Sequence, residues 1–182
     1  MQFDLTRLGQ HGRGTDHLDR TYDPSAFGTS DGGEEYRIAA AVQLHLDVHR
    51  ESADVYLVTG RVVTRLGLEC SRCVESFEIP VDSRFELRYV PRDQNVGEGE
   101  REIVEDDLTT AYYADHVLDL EALMREQFQL SLPMKPLCTD LCKGLCPECG
   151  ANLNTTTCDC APHWEDRRLS ALKGLLDPKG DH

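Results

Sequence analysis

The sequence predicts an α+β protein: an antiparallel β-sheet with a helix packed on it, continued by a cysteine-rich C-terminal segment and a final helix. Three observations carry this expectation. Residues 36–89 hold three long stretches in which apolar and polar side chains alternate, the period at which successive side chains fall on opposite faces of a strand. Near residue 120 the spacing switches to the three-and-four repeat of a helix with one apolar stripe. Six of the eight cysteines then fall within residues 138–160.

In chain order, residues 3–8 form a short apolar stretch that reads as a strand. Residues 9–33 carry Gly9, Gly12, Gly14, Pro24, Gly28, Gly32 and Gly33 among polar residues and read as an irregular lead-in. Tyr36, Ile38, Ala40, Val42, Leu44, Leu46 and Val48 then alternate with polar or small residues, which predicts one long strand with a buried face. Tyr56, Val58, Val62, Leu66 and Leu68 repeat the pattern, with Gly60 as the expected place of a bulge or bend. Phe77, Ile79, Val81, Phe85, Leu87 and Tyr89 complete a third amphipathic strand. Three such strands in succession predict an antiparallel sheet with one wet face.

Residues 91–107 are mostly acids, Gly and Asn and read as a solvated connector. Tyr112 and Tyr113 fit one more short strand. Asp119 is placed as the N-cap of a helix whose apolar stripe is Leu120, Leu123, Met124 and Phe128, with Glu121 in its first turn. Pro133 bars its continuation. Residues 164–176 predict a final helix with Trp164, Leu169, Leu172 and Leu176 on its apolar side. The expected division is a β-rich domain with its packed helix over residues 1–133, and a cysteine-rich zinc-knuckle segment with the C-terminal helix over residues 134–182.

The charge is uneven. The chain's net charge is −14, from 19 Lys/Arg and 33 Asp/Glu; residues 134–182 hold 6 basic against 7 acidic residues, leaving 13 against 26, or −13, in residues 1–133. No Lys/Arg cluster is available to neutralise a phosphate backbone, so direct RNA binding is not expected. Basic proteins are the partners this charge favours. Residues 1–5 have neither the basic nor the apolar region of a secretory signal, and no apolar run is long enough to span a bilayer. The expectation is a cytoplasmic protein whose thiols stay reduced, where paired cysteines are metal ligands rather than disulfides.

The cysteines form four close pairs: Cys70 with Cys73, Cys138 with Cys142, Cys146 with Cys149, and Cys158 with Cys160. Two thiolates two to four positions apart on a tight turn sit about one tetrahedral edge apart, as Zn²⁺ requires. Eight thiols are enough for two Cys₄ sites, so one or two structural zinc ions are expected. A redox Cys-x-x-Cys centre normally opens a helix in a βαβ unit, whereas Cys70 follows an antiparallel-type strand. A catalytic zinc keeps an open position and often uses His or carboxylate ligands; here all eight candidates are Cys. Of the seven histidines, His45 and His49 fall on the wet strand face and only His163 lies near the knuckle as a reserve ligand. No phosphate loop, nucleophile elbow or dinucleotide fingerprint is present, so no enzyme and no small-molecule substrate are expected.

Several spaced motifs together resemble the bacterial YceD family of large ribosomal RNA subunit accumulation proteins. They are Cys70-x-Arg72-Cys73 at the end of a β-rich half, Asp119-Leu120 opening a helix, and Leu132-Pro133-x-x-Pro136-x-Cys138. Next come Gly144-Leu145-Cys146-Pro147-x-Cys149-Gly150-x-Asn152-Leu153-Asn154 and Cys158-x-Cys160. The likeness covers roughly residues 36–176. It implies a non-catalytic role in accumulating large-subunit rRNA, through a basic ribosomal protein or a large-subunit assembly factor. The alternative class is a zinc- or redox-responsive thiol regulator. The resemblance also implies that the upstream pair and the final four cysteines are separable. The favoured grouping is therefore Cys70, Cys73, Cys138 and Cys142 in one site and Cys146, Cys149, Cys158 and Cys160 in the other. The spacing also admits a site wholly inside residues 138–149 that leaves Cys70 and Cys73 free.

Overall fold

The computed structural model describes residues 1–10, 14–28, 35–92 and 109–160. In chain order these form β1 (Gln2–Asp4), a one-turn helix α1 (Arg7–Gln10), β2 (Thr15–Tyr22), a 3₁₀ turn (Pro24–Phe27), β3 (Arg37–Ile38) and β4 (Val42–Arg50). There follow β5 (Tyr56–Glu69), β6 (Ser76–Pro91), β7 (Thr110–Tyr113), β8 (Val117–Asp119) and the helix α2 (Leu120–Ser131). The main sheet runs β2-β4-β5-β6-β7, with β3 also paired to β5, and β1 pairs with β8 in a small separate ribbon. It is a mostly antiparallel, mixed sheet carrying one long helix.

The alternating stretches bury the faces they were expected to bury. Val42, Leu44, Leu46 and Val48 of β4 and Val58, Val62 and Leu66 of β5 are inaccessible to solvent, while His45, Asp47 and His49 are exposed. α2 lays Leu120, Leu123, Met124 and Phe128 into the same core. Phe128 packs against Phe27 and Tyr36, with ring centroids 5.9 and 6.0 Å away. The Asp119 carboxylate caps the helix by accepting from the N–H groups of Glu121 (3.0 Å) and Ala122 (3.1 Å), two donors that have no partner inside the helix.

Five expectations need correction. Residues 9–33 are not irregular throughout: Thr15–Tyr22 is an eight-residue strand registered against β4, from Thr15 opposite His49 to Tyr22 opposite Val42. Its apolar residues are sparse because it is an edge strand with little to bury. Residues 3–8 are not a single strand, since β1 ends at Asp4 and α1 begins at Arg7. Residues 36–48 are two strands rather than one; β3 and β4 pair with the same edge of β5 on either side of a short break. That break is closed by Ala39 N–H donating to Arg65 O and by the Thr64 hydroxyl donating to Ala40 O. Gly60 makes no bulge, lying in unbroken register between Leu46 and Phe85. A Cβ there would sit 2.5 Å from the Phe85 ring, so the glycine makes room for an aromatic neighbour across the strands. Finally, β7 holds Tyr112 and Tyr113 as expected, yet it runs parallel to β6, so the sheet is not purely antiparallel. The Trp164 helix and most of the acidic connector lie outside the described residues.

Candidate metal centres

The β5–β6 turn presents the first two thiols. Cys70 N–H donates to Glu75 O (3.0 Å) and Val74 N–H to Cys70 O (2.9 Å), closing a tight tip. Val74 sits at φ 61, a conformation unfavourable for a β-branched residue, as the chain turns back into β6. After Pro133 has stopped α2, residues 132–137 lead to this tip, where Ser71 N–H donates to Pro136 O (2.9 Å). Cys138 and Cys142 follow at once, on a turn held by Cys142 N–H donating to Thr139 O (3.1 Å).

The result is a cluster of four sulfurs from two distant parts of the chain. Cys70 Sγ lies 3.7 Å from Cys142 Sγ, and Cys73 Sγ lies 3.7 Å from Cys138 Sγ. All four sulfurs are within 4.8 Å of one another. A disulfide needs about 2.05 Å, whereas a tetrahedron with metal–sulfur bonds of about 2.3 Å has edges of roughly 3.8 Å. Cys70, Cys73 and Cys142 are buried, with Phe77 and Leu137 packed against them.

The second cluster is local. Gly150, at φ +73, turns the chain after Cys149. Gly150 N–H donates to Cys146 O (2.9 Å) and Cys146 N–H to Ala151 O (2.8 Å). Leu145 and Asn152 form an antiparallel bridge, and the sulfurs of Cys146, Cys149, Cys158 and Cys160 again lie within 4.8 Å of one another. Cys146 is buried, but Cys149 and Cys160 are exposed. All eight cysteines are free thiols.

The electrostatics of each cluster call for a cation. Burial pushes the Cys70 thiol up, and the N–H groups of Cys73, Cys138 and Arg72 more than reverse it, bringing the thiol down to about 6. The Glu75 N–H pulls Cys73 down, but burial and the neighbouring sulfurs prevail and hold it at about 12. In the second cluster the N–H groups of Cys149 and Glu148 lower Cys146 to about 7, while the Cys149 sulfur and burial raise Cys160 to about 12. Cys70 and Cys142 are the lowered thiols of the first cluster and Cys146 is that of the second, and each thiolate that forms opposes ionisation of the sulfurs beside it. A divalent ion removes that opposition and lets all four ionise. The residues present therefore fit a tetrahedral, thiolate-binding metal ion.

Both clusters have the membership expected on the favoured grouping, and the partition that left Cys70 and Cys73 free does not match the geometry. Three residues without an assigned role surround the sulfurs. Arg72 donates through Nη1 to Cys142 O (2.7 Å). Asn154 Nδ2 lies 3.3 Å from Cys142 Sγ and is the foremost reason that thiol is lowered. Asn152 Nδ2 reaches Glu75 Oε1 (3.3 Å). The sequence signal for the two asparagines was the Asn-x-Asn that follows Gly150, which reads equally well as a turn. His163 lies outside the described residues.

The family model described as large ribosomal RNA subunit accumulation protein YceD matches residues 58–176. The chain is 32% identical over 158 residues to a chloroplastic YCED homolog 1 from Zea mays, covering 74% of this chain and 53% of that one. A protein from Mycobacterium tuberculosis described only as uncharacterized is 31% identical over 184 residues, covering 100% of this chain and 84% of its own length. The Arabidopsis thaliana chloroplastic YCED homolog 1 is 27% identical over 194 residues, covering 95% and 60% respectively. The chain thus spans about half the length of the maize relative. No solved structure matches it. No helix among the described residues is long and apolar enough to cross a membrane.

Proposed function

The chain belongs to the YceD family, and on that premise we propose that it is a non-catalytic accessory factor in large-subunit rRNA accumulation and ribosome assembly. Family membership is the observation that carries this reading. Its eight cysteines hold two structural zinc ions, Cys70, Cys73, Cys138 and Cys142 binding one and Cys146, Cys149, Cys158 and Cys160 the other. Four thiolates close the coordination shell of zinc and leave no position for a substrate or an activated water. Residues 1–133 act as the folded β-rich unit, and residues 134–160 fasten the second zinc knuckle to it.

The route to ribosome assembly is through a protein. With −13 on residues 1–133, the surface attracts a basic ribosomal protein or assembly factor and repels a bare phosphate backbone. Holding such a partner away from RNA until delivery places the chain in the cytoplasm or the equivalent organelle compartment, where ribosomes are built. The test is capture from lysate over a salt series, with and without nuclease. The reading expects a basic large-subunit component to be captured, to be lost as salt rises because exposed charges are screened beyond about 8–10 Å, and to survive nuclease. Capture that disappears with nuclease, together with tight binding of naked rRNA by the pure protein, overturns it.

The exposure of Cys149 and Cys160 favours one second reading, a thiol regulator responsive to zinc or oxidant. Rapid alkylation of those two thiols in the zinc-loaded protein, with release of one ion, would support it over a purely structural knuckle.

A further inference from the structure

We propose that Asn154 is a positioning residue coupling the two cysteine clusters: the loop closed by the second cluster holds an amide N–H on the Cys142 sulfur, so an ion in the second raises the affinity of the first. The inference rests on the reading that both clusters bind metal.

Asn154 belongs to the loop between Cys149 and Cys158, yet its side chain faces the other site. Its Oδ1 accepts from the Lys143 N–H (2.8 Å), and its Nδ2 lies 3.3 Å from Cys142 Sγ and 3.0 Å from Asn152 Oδ1. A backbone N–H only donates, so Lys143 takes the oxygen end of the amide and the NH₂ end is left for the sulfur. Asn152 sets this arrangement from behind. Its Oδ1 also accepts from the Asn154 backbone N–H (3.0 Å), while its Nδ2 donates to Glu75 Oε1 on the first cluster's tip (3.3 Å). Backbone bonds run the same way: Leu145 N–H donates to Arg72 O (3.1 Å), and Leu153 N–H to Gly144 O (2.9 Å).

An N–H donor on a metal-bound thiolate spreads its charge, and such outer partners commonly change metal affinity by about 10- to 100-fold. Keeping Asn154 in place requires an ordered loop. Its start is bonded to residues 143–146, and beyond Asn154 its bonds are short-range ones from the Thr155 and Thr156 N–H groups and hydroxyls to Asn152 O. An ion joining Cys146 and Cys149 to Cys158 and Cys160 closes the loop around Asn154 and removes the ordering cost otherwise charged to the first site. Coupling of this kind is reciprocal.

The full-length reduced chain is loaded with zinc and titrated with a chelator while alkylation of each cysteine is mapped by peptide mass. Asn154→Ala should still bind two ions at saturating zinc, but Cys70, Cys73, Cys138 and Cys142 should become alkylated at about tenfold lower chelator or less. Asn154→Asp keeps the acceptor for Lys143 and loses the donor, so it should behave like Asn154→Ala; full wild-type protection in Asn154→Asp would reduce Asn154 to a loop-shaping residue and overturn the proposal. Emptying the second site with Cys149→Ser and Cys160→Ser should weaken the first by a similar factor, and adding Asn154→Ala should cost little more. A wild-type chain with two ions and unchanged first-site protection in Asn154→Ala overturns the coupling alone. A wild-type chain with fewer than two ions overturns the two-site reading as well.

Discussion

The first cysteine cluster joins Cys70 to Cys142 across 72 positions, at the tip of the β5–β6 hairpin and against Phe77 and Leu137. The second gathers its four thiols from residues 146–160, with two of them exposed. The donor sets are identical, so what differs is what a bound metal would close. In the first, a bound ion would tie the β5–β6 tip to the chain leaving α2 and become part of the fold of the whole domain. In the second it would close a short loop whose backbone is already bridged at Leu145 and Asn152. Metal that binds only the folded state adds its binding free energy to stability, and the extent of chain that folds with each site decides where that energy is felt.

The largest effect should come from breaking the first site. Cys73→Ser removes a buried ligand, and thermal unfolding of the entire β-rich domain should shift down by ~10 °C or more, at about 2–4 °C per kcal/mol for a chain of this size. An unchanged melting temperature with the second knuckle intact would remove the distinction between the sites. Phe128→Ala, at a fully buried position packed on Phe27 and Tyr36, should cost about 3–5 kcal/mol. If the first cluster shares the domain's cooperative unit, this substitution should lower the temperature at which Cys70 and Cys73 become alkylated and shift that of Cys149 and Cys160 less. Cys149→Ser should release one ion and shift the domain's melting temperature by only ~3 °C or less, as circular dichroism would record.

How much of this contrast was legible follows from what each residue has to do. β4, β5 and β6 could be read because burial on one face imposes the alternation, and α2 because Asp119 and Pro133 mark its ends. β2 could not: with Leu18 and Tyr22 as its few apolar inward residues, only its hydrogen bonds to β4 make it a strand. The parallel pairing of β7 is likewise a matter of topology rather than of any residue pattern. The eight thiols were plain from their type and pairing. Their division into two groups was not fixed by spacing, because the partner of Cys73 lies 65 residues away; the family resemblance instead favours the grouping that the geometry shows. Asn152 and Asn154 were hidden for another reason: asparagine suits a turn for its own sake, and its approach to a sulfur is visible only in three dimensions.

The smallest effect is a control far from both clusters. His17 donates toward Asp47 (2.8 Å) and Asp19 (2.7 Å) on the exposed sheet face, and these bonds, that to Asp47 first, raise it above the ordinary histidine value of 6.5. A raised value stabilises the fold fully below 6.5 and loses that contribution as the pH rises through it. Relative to wild type, His17→Gln should therefore melt slightly lower below pH 6.5, the difference shrinking as the pH rises through the raised value, with no change in metal content. A pH-independent difference would count against the ion pairs.

The division into two closed sites is tested most directly by native mass measurement of the purified, reduced chain, combined with alkylation before and after denaturation. The account expects two zinc ions per chain, no thiol modified in the folded protein under brief exposure, and eight modified after denaturation with chelator. One zinc ion with Cys70 and Cys73 alkylated in the folded protein would contradict it.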